Sequence, residues 1–371
     1  MNAIDQFFNQ KLDELVYINL KDSTEFIDSS LPLPIVRDEL YEGIKDGSFE
    51  NQIKSDSIFK GMVYNISYDR DFKYCKEYVD ILYASGENID KYILLEGIKR
   101  IDNPQSAVNY FRTNYILKTD IKENSVYYAM CLRLIFSISY EEGLDFLLEE
   151  GRKLLNENIK DYPDHPISYL EFANYEILEE NYIKASSYLK HASLLLDEYD
   201  VSDEQKNLIY QEIKRLDDLI EPYLKMDLAV EKLKTSPKKA IEILDSIGES
   251  PRGNYLKGKA YMNMDQMDKA IEFFELSESQ DFTHVDLYND FSLAYYNKGD
   301  YMGAIDTLDR GLKKHTDNEI LLYNKAVMQL NKGDVDDAKE SLSTLVSYDD
   351  VDEDIFNISM QLLEKLNLNN D

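Results

Sequence analysis

The 371-residue chain has no tryptophan, two cysteines, 14 glycines and 8 prolines. Two cysteines cannot build a disulfide framework. Cys75 and Cys131 both sit in helical apolar patterns, so they are expected as buried free thiols in a reducing compartment. So few turn-forming residues leave little room for the many turns of an all-β fold. Bases are scarce as well: 41 Lys and Arg stand against 72 Asp and Glu, a net charge of −31. Such a field repels phosphate and excludes nucleic acid and anionic membrane as expected partners, while it steers in basic ligands. No stretch approaches the ~18 uninterrupted apolar residues of a membrane span. The opening Met1-Asn2-Ala3-Ile4-Asp5-Gln6-Phe7-Phe8 lacks the basic region and apolar run of a secretory signal. A soluble, cytoplasmic protein is expected.

Catalytic and metal-binding patterns are equally sparse. His165, His191, His284 and His315 lie far apart, and none has a His or Cys at ligand spacing. Asp350, Asp352 and Asp354 alternate like the start of a calcium loop, but Ile355 replaces the glycine and Gln361 the bidentate glutamate. Nucleophile-elbow, phosphate-loop and Cys-x-x-Cys motifs are missing. Ser57-x-x-Lys60 and Ser187-x-x-Lys190 match a hydrolase pattern too short to carry weight. No catalytic residue, metal or cofactor is expected, and the chain reads as a non-enzyme.

What is present is a period. Ala270, Ala304 and Ala338 stand 34 residues apart, and Gly258, Ser292 and Ala326 precede them by twelve. Phe274, Leu308 and Leu342 follow them by four. A fixed period with self-similar neighbours marks a stacked array. The spacing predicts helix pairs at 251–264/267–279, 285–298/301–314 and 319–332/335–347. Small residues twelve apart let two antiparallel helices approach just beyond their turn, and the bulky residues fill the next layer. Gly299 and Gly333 suit the left-handed close of a helix, with Asp300 and Asp334 opening the next. Tyr261 and Tyr295 share an interior position, which Gln329 interrupts.

These residues resemble the tetratricopeptide repeat. The small pair and the aromatic-or-leucine position match in all three copies over 251–350, and the tyrosine in the first two, at Tyr261 and Tyr295. A further copy at 166–199 carries Tyr169, Phe172, Ala173, Ala185, Leu189 and Ala192. No copy has the usual tryptophan, and Thr316 and Asp350 replace the usual inter-repeat proline. A shortened copy covers 222–235 and 237–247, with Pro222 and Pro237 as first helical residues. Weaker helices are expected at 88–100, 104–117, 123–139 and 141–159, with Leu95 facing Ala107 and Cys131 facing Gly143. An extra helix at 202–220 has Leu208, Ile209, Ile213, Leu216 and Ile220 on one face. Leu31-Pro32-Leu33-Pro34-Ile35 is an extended break, and 352–367 is an amphipathic capping helix.

The resemblance implies an all-α, right-handed solenoid of antiparallel helix pairs with degenerate N-terminal repeats. Its expected parts are 1–84 (a poorly defined helical region), 85–200 (degenerate pairs), 201–221 (a connecting helix), 222–350 (the array) and 351–371 (cap and tail). It also implies that the first helix of each pair lines a binding groove. That groove would comprise Arg252, Tyr255, Lys259 and Met262, then Asp286, Asn289, Leu293 and Tyr296, then Ile320, Tyr323, Val327 and Leu330. Lys259 alone matches the family's carboxylate clamp, with Leu293 and Val327 at the equivalent positions, so chaperone tails are poor ligands. Asn263, Asn297 and Asn331 recur at helix ends, where a structural role is the plainer one. The expected function is a protein-interaction scaffold binding a peptide or partner helix, of basic character given the charge. The alternative is a peptide-responsive regulator with a repeat sensor, not itself DNA-binding, because 1–84 has no basic cluster.

Overall fold

The computed structural model describes residues 2–21, 28–47, 49, 53–86, 88–139 and 142–368. Met1, the tail 369–371 and Glu141 at the start of the expected helix 141–159 lie outside them. The chain divides into two compact units, Met1–Ile220 and Glu221–Asp371.

The first unit opens with α1 (Ala3–Asn9), a 3-10 turn (Gln10–Glu14), β1 (Leu15–Ile18) and β2 (Leu33–Val36). Helices α2 (Arg37–Lys45), α3 (Ser55–Tyr68), α4 (Cys75–Ala84), α5 (Ile89–Ile98) and α6 (Pro104–Ile116) follow. Then come α7 (Lys122–Ile138), α8 (Asp145–Asp161), α9 (Pro166–Leu178), α10 (Tyr182–Leu196) and α11 (Asp203–Lys232), within which the division between the units falls.

The extended break is half of a two-stranded antiparallel ladder, with Leu15 opposite Val36 and Ile18 opposite Leu33. This hairpin is the departure from an all-α fold among the described residues. It sits hard against α3: a Cβ on Gly61 would lie 1.8 Å from the Pro34 carbonyl oxygen, so only glycine fits. Pro34 is tolerated because a two-stranded ladder leaves each strand an edge.

The N-terminal helix is tied down by a buried cation. Arg112 on α6, 4% exposed, donates to Asp5 Oδ1 on α1 at 2.5 Å, to the Ser67 carbonyl and to Tyr128 Oη. Its guanidinium stacks 4.3 Å over the Phe8 ring. Arg70 holds the other Asp5 oxygen at 2.9 Å.

Two expected facings are corrected. Leu95 is 45% exposed, and its helix meets α6 through Gly97, where a Cβ would lie 2.7 Å from the Phe111 ring. Gly143 lies in the loop before α8 at φ +82°, with open space around it; the close glycine on that helix is Gly151, against the Tyr175 hydroxyl. Leu208 is 60% exposed, whereas Ile213, Leu216 and Ile220 are buried. Pro222 does not start a helix. It lies inside the 30 residues of α11, although a helix-interior proline loses a backbone bond and costs about 3 kcal/mol.

The second unit continues with α12 (Pro237–Ile247), α13 (Pro251–Asn263), α14 (Met267–Ser279), α15 (Val285–Asn297) and α16 (Tyr301–Lys314). It ends with α17 (Glu319–Lys332), α18 (Val335–Leu345) and α19 (Glu353–Leu368). This is a solenoid of helix pairs. Ala270, Ala304, Ala338, Ser292 and Ala326 are fully buried where the paired helices touch. Gly299 and Gly333 close their helices at φ +84° and +98°; in the first pair Asp265 does the same at +58° without glycine. The Tyr261 position shows how a repeat tolerates a polar swap. Tyr261 stacks on Phe273, whereas Gln329, its counterpart two repeats later, is buried and accepts a 2.8 Å hydrogen bond from Ser341.

Candidate functional site

The first helices of the C-terminal pairs, α13, α15 and α17, carry the residues expected to line a groove. Each helix is positioned by its capping residue: Ser250 and Asn318 accept from Gly253 N and Leu321 N at 3.0 Å. His284 accepts from Asp286 N before α15.

A polar ladder with one offset joins these helices. Tyr255 Oη donates to Asp290 Oδ2 at 2.8 Å, and Asn324 Nδ2 donates to Asn289 Oδ1 at 2.5 Å. Both bonds span 35 positions, one period plus one residue. They link equivalent sites on successive first helices, so the side chains beside them keep one register. Lys259 Nζ closes the first rung, 2.8 Å from Asp290 and 3.1 Å from Tyr255 Oη. Burial and the Asp290 carboxylate push the Tyr255 phenol far above its usual range, so it stays a neutral donor.

The expected groove residues therefore fall into two sets. Tyr255 is 7% exposed and turned into the stack, and Lys259 is neutralised by Asp290. Asn289 is partly buried and serves the ladder. The others keep open surface. Met262, Leu293, Tyr323, Val327 and Leu330 are half-buried, the Tyr296 ring lies tilted against Tyr301 at 5.7 Å, and Ile320 is 43% exposed. Arg252 and Asp286 are exposed. Asp290 and Asn324 are the residues that sequence reasoning missed. Their signal was available: a carboxylate between Tyr288 and Phe291 interrupts a buried stripe, and a buried charge requires a partner.

Asn263 uses its amide on the Leu233 carbonyl at 3.0 Å, and Asn331 on the carbonyl of Val327 in its own helix. Ser57 is 1% exposed and donates to Glu39 Oε1 at 2.6 Å, while Lys60 pairs with Glu39 Oε2 at 3.2 Å. The Ser57-x-x-Lys60 pattern thus fixes Glu39 between two helices. Burial pushes the Cys75 thiol up to about 11 and raises that of Cys131 further, so both stay neutral. Among the described residues no helix is long and apolar enough to cross a membrane.

Residues 251–284, which are α13, α14 and the turn into α15, match the tetratricopeptide-repeat family. The chain carries a tetratricopeptide repeat there. No curated protein sequence matches it. Among solved structures this repeat protein is similar to MamA MSR-1 C2, at 16% identity over 40% of this chain and 95% of that one, with a TM-score of 0.31. YrrB, described as a TPR protein with an unusual peptide-binding site, shares 16% identity over 57% and 96% of the two chains, at a TM-score of 0.31. The TPR2AB domain of yeast Sti1, solved as a complex with pHSP90, shares 14% identity over 76% and 100%, at 0.29.

Proposed function

We infer that this repeat chain is a non-enzymatic interaction scaffold whose C-terminal unit seats a peptide or partner helix along α13, α15 and α17. The observation that carries this is the 35-residue ladder, which holds three helices in register while leaving an apolar stripe beside it half-exposed. Leu293, Tyr296, Tyr323, Val327 and Leu330 supply rigid apolar and aromatic contacts, and side chains on one helix face four apart suit helix-in-groove or extended-peptide recognition. The surplus of acids favours a partner with basic residues flanking its apolar contacts. Tyr255 and Lys259 act behind that surface, by holding α15 against α13.

The test compares the wild-type chain with a Tyr296→Ala, Tyr323→Ala, Val327→Ala variant in affinity capture from native lysate, after circular dichroism has shown equal helix content. Loss of a captured protein supports the groove. A partner retained equally by both chains would remove it and leave the fold untouched.

A further inference from the structure

The first unit holds a polar cleft of about 560 Å³ between α2, α3, α5 and α6, far from the ladder in sequence. That volume lies within the range of small-ligand sites. Its floor is aromatic. Phe59 and Tyr92 meet edge to face at 5.1 Å, and Tyr92 is 43% exposed. Tyr110 is 1% exposed and lines the cleft, and its hydroxyl has no hydrogen-bond partner among the described residues. Burial raises the Tyr110 phenol, so it remains a neutral O–H whose oxygen can accept a proton donor.

The charges on the walls decide the sign of the ligand. Every base is already committed: Lys60 to Glu39 at 3.2 Å, and Lys99 and Arg100 both to Glu96 at 2.6 Å. Arg100 is further held 4.9 Å over the Tyr110 ring. An anion would have to break one of these pairs. Asp38 on α2 and Asp56 in the first turn of α3 line the same cleft, are exposed, and have no ion pair among the described residues. A cation meets the Asp38 and Asp56 carboxylates, an aromatic face and the Tyr110 hydroxyl without breaking the Lys60–Glu39, Lys99–Glu96 or Arg100–Glu96 pairs.

We propose that this cleft is a binding site for a flexible organic cation, an alkylammonium or guanidinium chain, held by Asp38 and Asp56 with its stem across Phe59 and Tyr92. The aromatic floor takes the cation and its methylenes, as ammonium and guanidinium groups favour ring faces within about 6 Å. The net field of the chain raises the local concentration of such ions. Two sources share this chemistry: a free polyamine, and the lysine or arginine side chains of a basic peptide.

Isothermal titration calorimetry on the full chain separates them, with spermidine, N-acetylated and C-amidated Lys-Ala-Arg, and Glu-Ala-Glu blocked in the same way as probes. Saturable binding near one-to-one is expected for at least one cationic probe and none for the acidic one. Spermidine alone identifies the polyamine source, and the tripeptide alone the peptide source. Affinity should fall at least tenfold in the Asp38→Asn, Asp56→Asn variant, whose exposed, unpaired positions spare the fold. It should also fall in Tyr92→Ala. The groove variant with Tyr296→Ala, Tyr323→Ala and Val327→Ala should bind unchanged, so this site and the groove stand or fall separately. Absence of saturable binding by both cations, or equal binding by the double Asn variant, overturns the proposal; the latter is the behaviour of a diffuse counterion cloud.

Discussion

Replacing Gly258 by alanine tests the packing rule that builds the C-terminal unit. In an ordinary helix interior the change stabilises by about 0.5–1 kcal/mol, because glycine loses more backbone freedom on folding. Here the new Cβ would lie 2.5 Å from two ring carbons of Phe274, where about 3.5 Å is the comfortable limit. The ring cannot retreat. It is fully buried between Tyr255, 6.0 Å away between centroids, and Phe291, 5.6 Å away. Overpacking of this kind costs typically ~1–3 kcal/mol, so the clash wins and Gly258→Ala loses about 1–2 kcal/mol. The other repeats show the compensation: Ser292 and Ala326 carry a Cβ at the same site, and their partners are Leu308 and Leu342 instead of phenylalanine. Phe274→Leu should therefore cost less in the alanine background than in the glycine one. Urea denaturation followed by circular dichroism on the four chains of this cycle measures the coupling, expected at about 1 kcal/mol. Equal or greater stability of Gly258→Ala, or strict additivity, would refute the reasoning.

The other predictions are simpler. His165 is buried, with Nδ1 against Ser168 and no partner for Nε2; burial, then Lys122, lowers its pKa to about 4. The unfolded chain takes up that proton near 6.5 and the native one only near 4, so stability present above 6.5 is lost as pH falls through this window, by up to about 3 kcal/mol. His165→Gln should flatten the decline between pH 6.5 and 4.5 in thermal melts, and an unchanged slope would count against it. Asp5→Ala leaves the Arg112 guanidinium buried without its counter-charge and should cost about 3 kcal/mol or more, read by chemical denaturation. An effect below 1 kcal/mol would show the anchor to be slack. Tyr255→Phe removes a hydrogen bond to a carboxylate and should cost about 1.5–3 kcal/mol; Asp290→Asn tests the same rung from the other side.

The helix borders of the C-terminal array were legible almost to the residue. Pro251, Asp300 and Gly333 mark starts and stops through their own backbone chemistry, and the pattern at 251–264 became α13 at Pro251–Asn263. Legibility fell where a residue's role depends on a distant neighbour. Leu95 and Gly97 are two positions apart on one helix, and only the Phe111 ring arriving from α6 makes Gly97 the contact. Pro222 has every local mark of a helix start, yet the apolar pattern on either side carries one helix through it. At the groove, periodicity could place the first-helix positions. It could not separate Tyr255, turned inward by Asp290, from Tyr323, which keeps open surface.

The amino-acid order alone determined that these residues form helices in pairs, because capping, left-handed turns and small contact positions are set within a dozen or so residues of one another. Tertiary structure alone decided which polar groups meet. The Asp5–Arg112 anchor spans 107 positions and the ladder bonds 35 each, and a side chain's partner at that separation depends on how intervening helices stack. Charge on the first unit's cleft follows the same division: Asp38 and Asp56 are visible in the chain, but their lack of ion-pair partners among the described residues exists only once the fold has assigned the cleft's Lys60, Lys99 and Arg100 to Glu39 and Glu96.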